Sequence, residues 1–176
     1  MKTNIALIGF MGVGKSAVGK ALAKKLGKRF VELDSLIERK AGKSIPEIFQ
    51  EGGEVAFREL EIEVTKEVAR EKNLVIACGG GIVLNKINID RLRKESVIVY
   101  LTASLRIILK RIQGGGAGRP LLNTPDRALT IRELLAFRKP FYERAADIKI
   151  DTSRLDVDSV VEQIVSRLKE DEDFSF

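Results

Sequence analysis

The stretch that most constrains this chain is Gly9-Phe10-Met11-Gly12-Val13-Gly14-Lys15-Ser16, a full match to GxxxxGK[ST]. It stands between segments of different periodicity. Asn4 to Ile8 is a short, mostly apolar run that reads as a strand buried on both faces. From Lys15 onward, Val18, Leu22 and Leu26 recur every four residues and Gly27 follows, which reads as a helix with a glycine stop. A glycine loop joining a buried strand to a helix turns successive N–H groups into one concavity, and the helix N-terminus adds positive potential there. The spacing predicts a phosphate cradle over Gly12, Val13, Gly14, Lys15, Ser16 and Ala17, with Lys15 on the outer phosphates of a nucleotide and the Ser16 hydroxyl on Mg²⁺.

Four more strand candidates follow, each after a helical stretch: Arg29 to Leu33, Leu74 to Ala77, Val97 to Leu101 and Ile148 to Ile150. Strands alternating with helices argue for an α/β fold in three layers, a five-stranded parallel sheet with helices on both faces. Phe57, Leu60, Val64 and Val68 set a helix over Glu54 to Arg70, and Val157 to Leu168 closes the chain ahead of a tail, KEDEDFSF, expected to fray. Gly114 to Gly118 has loop composition; Thr124 and Pro125 suit the cap and first turn of a helix running towards Phe141. With neither repeat nor linker, residues 1–176 are expected to form one domain.

Histidine is absent, which removes Ser-His-Asp triads, Cys-His pairs and histidine-ligated zinc and leaves carboxylates or lysines as general bases. A single cysteine, Cys78, makes no internal disulfide, and the N-terminal apolar run is too short for a membrane helix and shows no cleavage site. A reducing cytoplasm is the expected setting. Lys and Arg number 31 against 25 Asp and Glu, a surplus that suits either nucleic acid or an enzyme whose substrates are all anions.

The glycine loop does not name an acceptor, because GTPases, ATPases and small-molecule kinases share it. No Asn-Lys-x-Asp guanine signature is present, and no apolar strand ends in Asp-Glu, so a small-molecule kinase fits best. Glu32 and Asp34, two apart, are expected on one face of the second strand at its carboxyl end, where ligands bind in open α/β sheets. Carboxylates there can hold metal-bound water and take the proton of an acceptor hydroxyl; a solvated strand end is the plainer alternative. Arg58 and Glu61 lie one turn apart, and Glu61 falls at the buried stripe, so it is read as holding the Arg58 guanidinium, with an ordinary surface pair as the alternative. Gly79, Gly80 and Gly81 directly after a strand either bring backbone close to a ligand or form a simple turn. Arg119, between the glycine-rich run and Pro120, suits a mobile lid that carries a cation over the γ-phosphate, or else a solvated loop.

In combination, GFMGVGKS, the acidic pair before Ser35-Leu36-Ile37-Glu38, GGEVAFRELE around Arg58, CGGG, GRPLL at Arg119 and Arg138 in AFRKPFYERAA resemble shikimate kinase, from the phosphate loop to Arg154. The resemblance implies a P-loop fold of the nucleoside monophosphate kinase type, with an acceptor-binding region at 34–61 and a lid at 112–124. It implies a cytoplasmic monomer, without nucleic-acid or membrane partners, that uses ATP and Mg²⁺ to convert shikimate to shikimate 3-phosphate. It further implies that Asp34 contacts the acceptor hydroxyls and acts as base, that Arg58 and Arg138 hold the carboxylate, and that the backbone around Gly80, in Gly79 to Gly81, touches the acceptor. Lys15 and Arg119 would act on the transferred phosphoryl group, and Arg111 and Arg154 would flank the adenine. Two positions depart from the family's habit: Glu32 stands where an Asp is usual and Ala17 where a hydroxyl residue is usual. A gluconate or nucleoside monophosphate kinase of the same architecture, and a nucleic-acid-associated nucleotide-binding module, are the rival readings.

Overall fold

The apolar run that opens the chain becomes the middle of the sheet. In the computed structural model, which describes residues 1–113 and 119–176, strands β1 (Asn4–Ile8), β2 (Arg29–Glu32), β3 (Leu74–Ala77), β4 (Ser96–Thr102) and β5 (Ile148–Asp151) form one parallel sheet in the order β2-β3-β1-β4-β5. Helices α1 (Lys15–Leu26), α2 (Leu33–Ala41), α3 (Ile45–Val68), α4 (Lys86–Leu92), α5 (Leu105–Gln113), α6 (Arg127–Ala145) and α7 (Val157–Lys169) connect and cover it. Helices α1 and α7 pack on each other and on the sheet, α6 lies on β4, and α4 lies on α3. Ile5, Ala6, Leu7 and Ile8 are wholly buried, as a central strand covered on both faces requires.

The sheet's register places the two glycine segments. Leu7 stands opposite Ala77 on β3 and Ile8 opposite Tyr100 on β4, so the chain leaves β1 and β3 at neighbouring points on the carboxyl edge. Gly9 turns out of the sheet at a φ of 148°, and a Cβ there would stand 2.4 Å from the Leu101 carbonyl oxygen. Only glycine fits so close a crossing in that conformation. Helix α3 starts at a complete capping box: Ser44 Oγ accepts from the Glu47 N–H, and the Glu47 carboxylate accepts from the Ser44 N–H at 2.9 Å.

Several boundaries differ from expectation. The second strand stops at Glu32, and Leu33 already opens α2, so Asp34 sits in a helical first turn and not on the strand face it was expected to share with Glu32. The reason is the spacing of Leu33 and Ile37, which are both buried on one helical face, together with the favourable position of an acid at a helix N-terminus. The helix expected from Glu54 begins nine residues earlier, at Ile45, because a break at Gly53 (φ 70°) interrupts the period that marks its second half. The sixth helix is capped by Asp126, whose carboxylate accepts from the Leu129 N–H at 3.0 Å; the Thr124 hydroxyl pairs with Thr130 instead, and Pro120 opens a short 3₁₀ turn over Pro120–Leu122. The Gly114 to Gly118 loop, within the expected lid, lies outside the described residues.

The tail expected to fray is docked. Lys2 pairs with Phe174 in a parallel bridge, the Ser175 N–H donates to the Lys2 carbonyl at 2.8 Å, and the Phe174 ring is buried with Lys28 Nζ 5.2 Å from its centroid. Phe174→Ala is accordingly expected to lower unfolding free energy by roughly 3 kcal/mol, the scale of a large-to-small change at a buried aromatic. Urea melts check this; a variant as stable as the parent would show that the tail frays after all.

Candidate active site

The carboxyl edge of the sheet carries two adjoining cavities. The first, of about 430 Å³, is walled by the turn from Gly12 to Ala17, by Glu32 and by Cys78. Gly14 caps α1 in the left-handed region (φ 98°), which turns the loop so that the helix N-terminus opens into the cavity. Lys15 folds back over its own loop, its ammonium donating to the carbonyls of Gly9 at 2.7 Å and Phe10 at 2.9 Å. Burial lowers its pKa to about 8, with the Asp34 carboxylate opposing that shift. The Ser16 hydroxyl donates to the Glu32 carboxylate. Arg111 braces the loop from α5: its guanidinium donates to the Gly12 and Val13 carbonyls, each at 3.2 Å, and to the Thr152 hydroxyl and carbonyl, each at 3.3 Å.

The second cavity, of about 140 Å³, lies between α3, the segment after β3 and the chain at Arg119. Arg58 donates to Glu61 at 3.0 Å and to Glu54 at 3.2 Å, and Glu61 is 1% exposed. Arg138 comes from α6 and is 2% exposed. Burial raises the Asp34 carboxyl against the pull of Lys15, and raises Glu61 against the pull of Arg58. Four buried polar atoms here have no hydrogen-bond partner among the described residues: Asp34 Oδ1, Glu61 Oε2, Arg119 Nη1 and Arg138 Nε. Phe49, Phe57 and Ile45 supply the apolar wall.

The three glycines after β3 lie directly against charged side chains. A Cβ on Gly79 would stand 3.0 Å from Asp34 Oδ1 and 3.1 Å from Glu61 Oε2. One on Gly80 would stand 3.3 Å from an Arg138 nitrogen, and one on Gly81 would collide with the Arg58 guanidinium at 2.4 to 2.6 Å. Each glycine therefore lets one pair or one member of the charged set reach the cavity. The loop is a hydrogen-bonded turn that also packs against the charged set.

Most residues singled out in the sequence meet here. Asp34, Gly79, Gly80 and Arg119 line both cavities; Lys15, Ser16, Ala17 and Glu32 line the first alone, and Arg58, Glu61, Gly81 and Arg138 the second alone. Arg111 lies behind the glycine loop, and Arg154 is exposed beyond Thr152, outside both linings. Sequence reasoning missed Ile45 and Phe49, because the first half of α3 was unread, although the Ser44-x-x-Glu47 capping pattern marks its start. It also missed Thr152 and Tyr142, for which a single sequence holds no signal.

The sequence model of the shikimate kinase family matches residues 11–169. The chain belongs to the shikimate kinase family. A curated shikimate kinase of Thermodesulfovibrio yellowstonii is 47% identical over 162 residues, 92% of either chain, and one of Symbiobacterium thermophilum is 43% identical over 95% of this chain and 97% of its own. Among solved structures, a shikimate kinase from Acinetobacter baumannii in complex with shikimate superposes with a TM-score of 0.93 at 35% identity, covering 98% of this chain and 96% of that one. A gluconokinase from Sinorhizobium meliloti, at 17% identity and a TM-score of 0.61, shares the fold alone.

The donor set fits Mg²⁺. Ser16 and Glu32 present hard oxygen atoms side by side at the head of α1, and no group of three or more Asp, Glu, Cys or His side chains that could cage an ion is found among the described residues. Mg²⁺ keeps several waters and takes phosphate oxygens, so one or two protein oxygens are what such a site supplies.

Lys15 gives the site a measurable signature. Its side-chain resonances, followed by NMR, are expected to titrate with a midpoint near pH 8 instead of the ordinary 10.5. Because the folded pKa lies below the unfolded one, the unfolded chain binds the extra proton between them; this group's contribution to stability therefore rises from about pH 8 to about 10.5, and its burial cost is fully present below pH 8. A midpoint above 10 would show an ammonium in contact with bulk water.

Proposed function

We propose that this chain transfers the γ-phosphoryl group of ATP to the 3-hydroxyl of shikimate, giving shikimate 3-phosphate and ADP. The observation that carries the reading is that Asp34 and Arg119 line both cavities, so a base and a cation stand where a phosphate site and a small anion site meet. Family membership selects shikimate over gluconate or a nucleotide as the occupant of the second cavity.

The geometry supports a role for each group. The turn from Gly12 to Ala17 cradles the phosphates with its N–H groups, and Lys15 exchanges its two carbonyl contacts for phosphate oxygens. Ser16 would hold Mg²⁺ and Glu32 a water bound to it, and the ion when bound would offset charge on the β- and γ-phosphates. Glu32 reaches the Ser16 hydroxyl despite standing where the family has an aspartate. Arg58 and Arg138 bind the acceptor carboxylate, Glu61 orients Arg58, and the backbone of Gly79 to Gly81 completes the wall. Asp34, with a carboxyl raised by burial, takes the proton from the 3-hydroxyl as that oxygen attacks the γ-phosphorus and the bond to the β-phosphate oxygen breaks. Arg119 lies beside the path of transfer and meets the charge that develops on the phosphoryl oxygens.

In this reading residues 34–61 form the acceptor-binding region and 112–124 a lid over the nucleotide, within a single kinase domain. Arg111 and Arg154 border the adenine side, Arg111 by way of its brace on the loop. The surplus of positive charge is spent partly inside the site, since Arg58 and Arg138 are nearly buried, which favours small anions over a nucleic-acid partner. We place the enzyme in the cytoplasm as a monomer, as the family resemblance implies; among the described residues no helix is long and apolar enough to cross a membrane.

The test is ADP release coupled to a spectrophotometric assay with Mg-ATP. Shikimate is expected to stimulate release strongly, gluconate and nucleoside monophosphates not at all; release that ignores shikimate would overturn the reading. Asp34→Asn is expected to lower kcat by about 10²- to 10⁴-fold, the usual worth of a positioned general base, with ATP affinity by calorimetry little changed. Parental turnover in that variant would remove Asp34 from the role of base.

A further inference from the structure

We infer that Tyr142 is a positioning residue for the acceptor: by holding the Gly80 carbonyl from behind, it aims the Gly81 N–H into the acceptor cavity. The inference rests on the shikimate kinase reading and assigns a role to a side chain that lines neither cavity.

Three glycines in a row have no side chains with which to anchor themselves, and each loses much conformational freedom when ordered. Their carbonyls are nevertheless all engaged. The Gly79 oxygen accepts from the Ile82 N–H at 3.2 Å, the Gly81 oxygen accepts from the Leu84 N–H at 3.1 Å, and the Gly80 oxygen accepts from the Tyr142 hydroxyl. The first two bonds are local turns over Ile82–Leu84; the third is the one that ties the loop to another element, 62 residues away in sequence. By contrast, the N–H groups of Gly80 and Gly81 donate to no acceptor among the described residues.

A trans peptide points its C=O and its N–H in opposite directions. With the Gly80 carbonyl held by the Tyr142 hydroxyl, the N–H of the same peptide unit, on Gly81, points away from that hydroxyl, and Gly81 itself lies under the Arg58 guanidinium. Gly80, Gly81 and Arg58 all line the acceptor cavity. A free N–H beside a guanidinium suits an acceptor oxygen, either carboxylate or hydroxyl.

Tyr142 is itself held firmly. It is wholly buried, its ring stacks on Tyr100 with centroids 5.1 Å apart and planes 24° apart, and it follows Arg138 by one turn on α6. Arg138 lies against the Gly80 α-carbon, so one helix turn fixes the loop both through a carbonyl and through a cation in van der Waals reach. Tyr142 thereby couples the placement of the backbone donor to the placement of Arg138.

Tyr142→Phe keeps the ring and its stack and removes only the hydroxyl. The expected result is a rise of about tenfold in the KM for shikimate, the scale of one neutral hydrogen bond, with the KM for Mg-ATP unchanged. The Gly81 amide resonance, which should move on titration with shikimate in the parent, is expected to move much less in the variant. Tyr100→Phe, which keeps the stack and touches no loop carbonyl, serves as the control and should leave both KM values as they are. An unchanged shikimate KM in Tyr142→Phe, an equal rise in both KM values, or the same effect from Tyr100→Phe would overturn the proposal. A parent enzyme without shikimate-stimulated turnover would instead overturn the substrate assignment, and this proposal with it.

Discussion

The site depends first on the parallel pairing of β1 between β3 and β4. That pairing sends the chain out of the sheet at two adjacent points, into the phosphate loop after Ile8 and into the glycine run after Ala77. The Cys78 N–H extends the ladder by donating to the Leu7 carbonyl at 3.0 Å, so the two loops are hydrogen-bonded neighbours before any side chain contributes. Helices α1, α2 and α3 then bring Lys15, Asp34 and Arg58 to the same edge. A wholly buried β1 makes this arrangement stiff, because the strand has apolar contacts on both faces and a partner on both sides.

Legibility in the sequence followed the range of the interactions. The phosphate loop was readable because its chemistry is local: glycines, a lysine and a serine at fixed spacing between a strand and a helix. The five strands were readable because parallel strands are short apolar runs between helices. What escaped was set by contacts across long separations. Asp34 could be nominated as an acid beside the nucleotide, yet its helix was hidden, because an acid two residues after another at a strand end satisfies a strand pattern and a helix N-terminus equally well. The docking of Phe174 against Lys2 and Lys28 could not be read from a polar tail whose partners lie at the other end of the chain. Tyr142 carries the same lesson within the site: its spacing from Arg138 shows that they share a helix face, but nothing local says that its hydroxyl meets Gly80.

The glycine run shows how packing and chemistry become one constraint. None of Gly79, Gly80 and Gly81 has the positive φ that makes glycine obligatory for conformation alone. What sets them apart is what lies against them, two carboxylates at the first, Arg138 at the second and Arg58 at the third. The backbone has been thinned so that four charged groups can be drawn inward around one small cavity. A substitution there would act on charge placement and not on the fold's core.

Drawing charges inward has a cost, and its distribution is informative. Leaving a buried polar atom without a partner costs roughly 1–3 kcal/mol, more when it is charged. Of the seven such atoms among the described residues, Asp34 Oδ1, Glu61 Oε2, Arg119 Nη1 and Arg138 Nε surround the second cavity, while Thr65, Asn88 and Ser96 account for the rest. A packing flaw in the core would be lined by apolar side chains, whereas this cavity is lined by two carboxylates, Asp34 and Glu61, and three guanidinium groups, Arg58, Arg119 and Arg138. A lining that mixes unsatisfied acceptors with unsatisfied donors instead fits an occupant that carries both an anion and hydroxyl groups, which would satisfy the arginines with one end and the carboxylates with the other.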